Sequence, residues 1–196
     1  MEPKLDQTTW ILEASPELSQ DEEIILVKAA QQDPAAFAPL YRQYVRPVYR
    51  YLYSRIGQVG DAEDLTAQVF LEAIEGLKRY RHNGPFAAWL FTIARRRAID
   101  RIRRQRPLIT FSEQAGLADA STDPLAQVIQ GEAFQQLRSQ LGGLRESDQE
   151  LLRLRFAAGL GFGEIACILR CSQAAVKMNI YRLLRRLESQ LEKSHE

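Results

Sequence analysis

Seven arginines lie within twelve residues near the middle of the chain, and a single acidic residue lies among them. Guanidinium groups stay charged at physiological pH and bind phosphate oxygens through paired N–H donors. A row of like charges repels itself, and the phosphates of a nucleic acid relieve that repulsion. The block therefore predicts contact with a polyanion. Its members are Arg95, Arg96, Arg97, Arg101, Arg103, Arg104 and Arg106.

Aromatic residues accompany this block at Tyr80, Phe86, Trp89 and Phe91. Rings beside a basic groove can hold the bases of a single strand by stacking. For Phe86 and Trp89, each taken alone, a place in the hydrophobic core is the favoured alternative. The exposed candidates for base contact are in the preceding loop, which contains Tyr80, Arg81, His82 and Asn83.

A second basic element lies near the C-terminus, where a short predicted helix over 162–170 is followed by a turn at 171–173 and a longer helix over 174–191. Ser172 is a suitable N-cap for the longer helix. This order is typical of a helix-turn-helix, whose second helix enters the major groove. A plain helical hairpin is the alternative, and the basic residues favour DNA. The residues of the longer helix that are expected to face inward include Val176, Ile180, Leu183, Leu184 and Leu187. The exposed candidates are Gln173, Ala174, Lys177, Met178, Tyr181, Arg182 and Arg185.

The net charge of +1 hides this distribution. Residues 1–77 hold 6 basic and 13 acidic side chains, whereas residues 78–106 hold 10 basic side chains and only Asp100 as an acid. Residues 107–137 are acidic, and residues 138–196 are mildly basic. Charge asymmetry of this kind suggests a polyanionic partner for part of the chain.

Several other function classes lack support in the sequence. No apolar run approaches the roughly 18 residues of a membrane span, and no signal peptide is visible, so we expect a cytoplasmic protein without membrane insertion. Cys167 and Cys171 are read as reduced thiols, since no further ligands for a metal accompany them. With two histidines, no glycine-rich phosphate loop and no catalytic pattern, we expect no cofactor, no metal and no enzyme activity.

Apolar residues recur at helical spacing through most of the chain, and no strand-like alternation is found, so the predicted fold class is all-α. We expect a flexible tail over 1–20, a first helical domain over 21–106, a flexible linker over 107–130 and a second helical domain over 131–196. In the first domain, Asp33-Pro34 predicts a helix start, Pro47 predicts a kink or division, and Asp61 is the expected cap of the next helix.

Five segments together resemble the extracytoplasmic-function sigma factors of bacterial RNA polymerase. Residues 61–70 (DAEDLTAQVF) resemble the core-binding helix of sigma region 2, and residues 86–100 (FAAWLFTIARRRAID) resemble its promoter-melting helix. Residues 151–154, 164–166 and 176–177 resemble sigma region 4. Their shared order on either side of an acidic linker makes the resemblance specific.

The resemblance implies a role for each segment. Region 2 is expected to bind the clamp helices of the largest polymerase subunit and to melt and read the minus-ten element, and region 4 is expected to read the minus-thirty-five element and meet the polymerase flap. The implied core-binding residues are Asp61, Glu63, Asp64, Leu65, Gln68 and Phe70. The implied minus-ten residues are Tyr80, Arg81, His82, Asn83, Trp89, Arg95, Arg96, Arg97, Arg101, Arg103 and Arg104. The implied minus-thirty-five residues are Ser172, Gln173, Ala174, Ala175, Lys177, Met178, Tyr181, Arg182 and Arg185.

The sequence departs from the family pattern at Arg96, where Asn is usual, at Ala175, where Thr is common, and at Gly161, where Ser usually caps the helix. An anti-sigma factor is a further partner that the resemblance allows. The alternative interpretation is a helix-turn-helix regulator with an N-terminal sensing or oligomerisation domain. The first half favours the sigma factor, since a sensing domain has no need for Trp89-Leu90 followed by seven arginines.

Overall fold

The computed structural model describes residues 20–81, 83–105 and 140–192, and these residues form helices and connecting turns without any β-strand. The fold class predicted from the sequence is therefore confirmed as all-α. All but the last residue of the expected tail, the whole of the expected linker, His82, Arg106 and residues 131–139 of the expected second domain lie outside the described residues. The first unit contains α1 (Gln20–Gln32), a 3₁₀ turn (Pro34–Phe37), α2 (Ala38–Ile56), α3 (Val59–Leu77) and α4 (Phe86–Gln105). The second contains α5 (Glu146–Leu152), a π-helical turn (Arg153–Ala157), α6 (Phe162–Leu169) and α7 (Gln173–Glu192).

The start of α2 follows the sequence signals. Asp33 accepts a hydrogen bond from the Ala35 N–H at 2.9 Å, and Pro34 occupies the first position of the 3₁₀ turn that leads into α2. Pro47 does not divide the helix, which continues to Ile56. The helix ends at Gly57, whose φ of 79° is left-handed and is available to glycine without strain.

The start of α3 differs from the sequence prediction. The helix begins at Val59, with Gln58 in the extended N-cap position, so Asp61 lies inside the first turn and does not cap it. The Asp61 carboxylate instead forms an ion pair with Arg101 of α4. Arg101, which is 40 residues away in the sequence, therefore binds the carboxylate that the local sequence pattern predicted as an N-cap.

The core of the first unit lies where α2, α3 and α4 pack together. Buried rings and aliphatic side chains from all three helices meet there, and burial of each such side chain contributes about 1.5–3 kcal/mol. The fully buried members include Leu40, Val48, Leu52, Val69, Ala73, Leu90 and Phe91. Ala98 is also fully buried, so α4 remains part of the core further along than its many arginines suggest.

The second unit places α5, α6 and α7 around a smaller core that includes Leu154, Ile165, Val176 and Ile180. The π-helical turn brings Leu154 to full burial, and Gly159, two residues after its last residue, has a left-handed φ of 76°. The two units are in contact, since α6 packs against α4 and the π-helical turn packs against α2.

Candidate nucleic-acid and polymerase interfaces

The arginine row of α4 is partly neutralised from within the chain. Glu72 of α3 pairs with both Arg96 and Arg97, the second at 2.7 Å, while Arg101 pairs with Asp61. Arg95 donates to Glu150 of the second unit at 3.1 Å. Part of the arginine row is therefore already paired, because α3 and α5 supply carboxylates that no local sequence pattern reveals.

Arg103 and Arg104 differ from the other described arginines of the row. Both are exposed, and neither forms an ion pair with a carboxylate in the part of the chain that the structure describes. A guanidinium in this state loses no protein partner when it binds a phosphate. These two residues are therefore the cations of α4 most available to a nucleic acid.

The loop before α4 is held by contacts at both ends. The Gln31 side-chain amide donates to the backbone carbonyls of Leu77 and Tyr80, at 3.0 and 2.8 Å. The Tyr80 hydroxyl donates to the Gly84 carbonyl at 2.6 Å, and the Phe86 N–H at the start of α4 donates to the buried Glu23 carboxylate. These contacts fix the described residues on both sides of His82, and Arg81 and Asn83 are exposed.

Three rings meet behind this loop. The Tyr80 ring lies 5.1 Å from Trp89 and 5.9 Å from Phe86, and the last two lie 5.5 Å apart. Phe86 is buried, as the core alternative predicted, whereas Tyr80 and Trp89 are each partly exposed. Burial, and then the nearby charge of Glu23, raises the pKa of the Tyr80 hydroxyl.

Trp89 forms one wall of an open pocket of about 360 Å³ between α3 and α4. A Cβ on Gly76 would lie 3.3 Å from the Trp89 ring, so glycine at this position allows the close approach of the two helices. Two arginines, Arg79 and Arg96, lie on the same lining. Glu72 and Glu75 lie on the lining as well, and Glu72 pairs with Arg96, so the pocket combines an aromatic wall with charges of both signs.

The helix-turn-helix predicted from the sequence is present. The Gly161 N–H donates to Glu164 at 2.6 Å at the start of α6, so the carboxylate satisfies a helix-end donor where glycine replaces the usual serine. The turn passes through Arg170 at a left-handed φ of 55°, and the Ser172 hydroxyl accepts from the Ala175 N–H at 3.2 Å as the expected cap of α7.

The predicted recognition surface of α7 is open to solvent. Its inward side chains are Val176, Ile180, Leu183 and Leu187, whereas Leu184, expected to face inward, is 37% exposed. The outward side chains include Lys177 and Tyr181, whose ammonium and ring lie 6.0 Å apart. The exposed candidates are Ser172, Gln173, Ala174, Lys177, Met178, Tyr181, Arg182 and Arg185, and Ala175 is half-buried.

The predicted polymerase-binding helix α3 divides into two faces. Glu63, Asp64 and Gln68 are exposed, but Leu65 and Phe70 are 5% and 3% exposed and pack in the core. The sequence reasoning missed three exposed apolar side chains on the same helix, Val59, Leu71 and Ile74. The buried apolar row of α3 is Leu65, Val69, Ala73 and Leu77. Leu71 lies outside the spacing of that row, so its exposure could have been predicted from the sequence.

No helix among the described residues is long and apolar enough to cross a membrane. Within the same residues, His, Cys, Asp and Glu side chains form no cluster of three that could hold a metal ion. Cys167 and Cys171 are free thiols, and both are exposed.

Fold and surfaces together define a helical protein with the surface chemistry of a nucleic-acid-binding protein, carried by exposed basic side chains on α4 and α7. Comparison with protein families agrees. Residues 40–107 match the Sigma-70 region 2 family and residues 134–187 match the Sigma-70 region 4 family. The chain belongs to the sigma-70 family, in its extracytoplasmic-function group, and is a sigma factor that directs RNA polymerase to promoters for transcription initiation.

Two curated relatives illustrate the match. The chain is 36% identical over 166 residues to the ECF RNA polymerase sigma factor BldN of Streptomyces coelicolor, which covers 83% of this chain but less than two thirds, 63%, of BldN. It is 31% identical over 163 residues to the RNA polymerase sigma factor YlaC of Bacillus subtilis, which covers 80% of this chain and 92% of YlaC.

Two solved structures share the fold. CnrH, in complex with the cytosolic domain of CnrY, is similar with a TM-score of 0.62 and 24% identity, over 87% of this chain and 97% of CnrH. The sigma factor RpoE of Bartonella quintana, in complex with the anti-sigma factor NepR, is similar with a TM-score of 0.57 and 21% identity, over 80% of this chain and 96% of RpoE.

Proposed function

We propose that the two units divide promoter recognition between them, with residues 21–106 acting at the minus-ten element and residues 131–196 at the minus-thirty-five element. The observation that carries this proposal is the different chemistry of the two surfaces. The first unit offers partly exposed rings beside arginines, which suit a melted strand. The second offers an exposed, basic helix after a capped turn, which suits the major groove.

In the first unit, an extruded base of the minus-ten element enters the pocket beside Trp89, and Tyr80, Arg81 and Asn83 line its approach. Extruding a base costs a few kcal/mol, and stacking is worth about 1–3 kcal/mol per base, so one ring contact offsets much of that cost. Arg103 and Arg104 bind the phosphates of the adjacent duplex. Arg96 and Arg97 bind phosphates of the melted strand, and these phosphates replace Glu72 as their partner.

In the second unit, α7 enters the major groove of the minus-thirty-five element. Lys177 and Arg182 are the side chains that we place nearest the DNA, and Ser172, Gln173 and Met178 flank them at the N-terminal end of the helix. Ala175 offers a methyl group where a hydroxyl is common in the family, so contact at that position favours an apolar base edge such as the thymine methyl.

Region 2 binds the clamp helices of the largest polymerase subunit through the exposed part of α3, and region 4 meets the flap. We assign Glu63, Asp64 and Gln68 to the polymerase contact, with the exposed Leu71 and Ile74 beside them. Leu65 and Phe70 are assigned a packing role because they are buried. Asp61 acts through its ion pair with Arg101 and orients α3 on α4.

We propose that the protein acts in the cytoplasm, without cofactor or catalytic chemistry of its own. An anti-sigma factor is a proposed partner, supported by the RpoE structure of the same fold, which was solved with the anti-sigma factor NepR. The alternative of a regulator with a sensing domain loses its support, because the first unit matches sigma region 2.

The division of labour is tested by two double variants measured on core polymerase and on promoter DNA. Glu63→Ala with Asp64→Ala is expected to weaken core binding about twofold to thirtyfold, since exposed charge contacts contribute about 0.2–1 kcal/mol each. Lys177→Ala with Arg182→Ala is expected to leave core binding unchanged and to weaken holoenzyme binding to the promoter. Asp21→Ala with Glu188→Ala, two exposed acids on other helices, is the charge-matched control for the first pair. Unchanged core binding in the α3 variant would overturn the assignment of that helix.

A further inference from the structure

The first helix, α1, turns polar side chains inward and apolar side chains outward. Ile24 and Ile25 are 36% and 65% exposed, whereas Glu23 is 8% exposed. Glu23 and the half-buried Gln31 are a little over two helical turns apart, and the buried Val27 lies between them. An unpaired buried polar group costs free energy, so a helix with this arrangement uses its inward polar groups for specific contacts.

Gln31 caps the C-terminal end of α3. Its side-chain amide donates to the Leu77 carbonyl at 3.0 Å and to the Tyr80 carbonyl at 2.8 Å. The last carbonyls of a helix have no partner within it, and the last turn of α3, which the structure describes in full, holds no basic side chain. Both N–H groups of one amide are therefore bound to the chain that leaves α3, and the position requires a hydrogen-bond donor.

Glu23 binds the N-terminal end of α4 in a corresponding way. Its Oε2 accepts from the Phe86 N–H at 3.3 Å, and its Oε1 accepts from the Tyr44 hydroxyl. The first N–H groups of a helix carry partial positive charge, and the fully described first turn of α4 contains no acid of its own. Burial, and then the charge of Glu23, raises the pKa of the Tyr44 hydroxyl, which therefore remains a donor to the carboxylate.

These contacts set the position of the two rings beside the pocket. Tyr80, whose carbonyl binds Gln31, places its ring 5.1 Å from the ring of Trp89. Trp89 lies one turn after Phe86, whose N–H binds Glu23. One helix therefore holds the end of α3 that leads to Tyr80 and the start of α4 that carries Trp89.

A fixed arrangement of these rings favours capture of a base. Ordering a binding surface at the moment of binding costs free energy. When only a fraction of the molecules holds the binding arrangement, the apparent affinity falls by that fraction. Contacts that keep the rings in place before DNA arrives remove this loss without touching the DNA.

We propose that Glu23 and Gln31 form the α1 brace, a pair of positioning residues that hold Tyr80 and Trp89 in the arrangement that captures an extruded minus-ten base. The proposal rests on the proposed function, since it assumes that the first unit reads the melted strand. Neither brace residue is assigned a DNA contact, and each acts through the helix end that it binds. Polymerase binding, which is assigned to the exposed part of α3, does not depend on the brace.

Three substitutions at Gln31 test the brace by changing its hydrogen-bond polarity. Gln31→Leu removes the donors, Gln31→Glu sets a carboxylate against two carbonyls, and Gln31→Lys keeps donors and adds the positive charge that a helix C-terminus favours. Holoenzyme binding is measured on the region upstream of the protein's own gene, with the minus-ten segment mismatched so that it is already unpaired. Gln31→Leu is expected to weaken this binding about fivefold because two hydrogen bonds are lost, Gln31→Glu to weaken it further, and Gln31→Lys to stay within about twofold of the unmodified protein.

Gln32→Leu is the matched control, because it makes the same change at the neighbouring, exposed side chain. Its DNA affinity is expected to stay within about twofold, and core-polymerase affinity is expected to stay unchanged in all four variants. In a Trp89→Ala background, Gln31→Leu is expected to have less than a twofold effect, because the ring that the brace positions is absent. If Gln31→Leu does not fold, the ratio between Gln31→Glu and Gln31→Lys decides. Equal binding by the Gln31 variants, or a loss of core affinity that parallels the loss of DNA affinity, would overturn the brace.

Amide hydrogen exchange in the free chain separates failure of the brace from failure of the proposed function. The Tyr80 N–H donates to the Leu77 carbonyl at 3.0 Å, and Gln31→Leu is expected to raise its exchange rate at least fivefold, while Gln32→Leu leaves it unchanged. Faster exchange with unchanged binding to the mismatched promoter refutes the role in base capture, and the sigma function, measured by run-off transcription, stands. An unmodified holoenzyme that binds the mismatched promoter no better than mismatched DNA of shuffled sequence refutes the minus-ten role of the first unit itself.

Discussion

Arg103 and Arg104 give the most quantitative test of the role of α4. Both are exposed and lack an ion pair with the described carboxylates, so each is free to displace one counterion from DNA. The slope of log K against log salt changes by about 0.9 for each phosphate contact in duplex DNA. Arg103→Ala with Arg104→Ala is therefore expected to lower the slope for holoenzyme binding to a promoter by about 1.8.

The change in the salt slope can also be stated as a change in affinity for promoter DNA. Between 50 and 200 mM salt, a slope difference of 1.8 means that the unmodified holoenzyme loses about 12-fold more affinity than the variant. Fluorescence anisotropy of labelled promoter DNA at four or five salt concentrations measures both slopes, and the contribution of the polymerase cancels in the difference.

Lys28→Ala with Arg42→Ala is the matched control, because it removes two exposed cations from α1 and α2. Its slope is expected to stay within about 0.3 of the unmodified protein, since charges more than a Debye length from the DNA are largely screened. Equal slopes for the arginine variant and the unmodified protein would refute the assignment of these side chains to phosphates.

Two further predictions concern stability. Glu164→Gln is expected to stabilise the chain relative to the unmodified protein at neutral pH, because burial and Glu23 raise the pKa of Glu164 and so penalise its charged form. The gain shrinks as the pH falls below the raised pKa and is lost below the ordinary value of 4.5; a gain that grows on acidification, measured by urea denaturation, would contradict it. Leu154→Ala is expected to cost about 2–5 kcal/mol because Leu154 is fully buried, whereas Leu71→Ala, at 62% exposure, should cost far less in the same assay.

The sequence predicted best what local chemistry decides. Asp33 and Ser172 cap helices where their types and positions indicated, and the apolar period of α7 placed Val176, Ile180 and Leu183 in the core. Each of these depends on neighbours within a few residues. The exposed Leu184 shows where the periodicity stops being sufficient, since how much of an apolar helix face is buried depends on how far the neighbouring helices cover it.

The ion pairs could not be predicted, because they join residues that are distant in sequence. Glu72 lies 24 and 25 residues from the two arginines it binds, and Glu150 lies 99 residues from Tyr51. No periodicity records such a pairing. The same reason explains why the capping role predicted for Asp61 was wrong. Its carboxylate forms an ion pair with Arg101, which is distant in the sequence.

The central claim is that this chain alone confers promoter specificity on core polymerase, and run-off transcription tests it most directly. Purified core polymerase is supplied with a template that carries the region upstream of the protein's own gene, with and without the protein. The expected result is a transcript of defined start that requires the protein and that weakens with Lys177→Ala and Arg182→Ala. Absence of any protein-dependent transcript across genomic templates, with core binding intact, would contradict it.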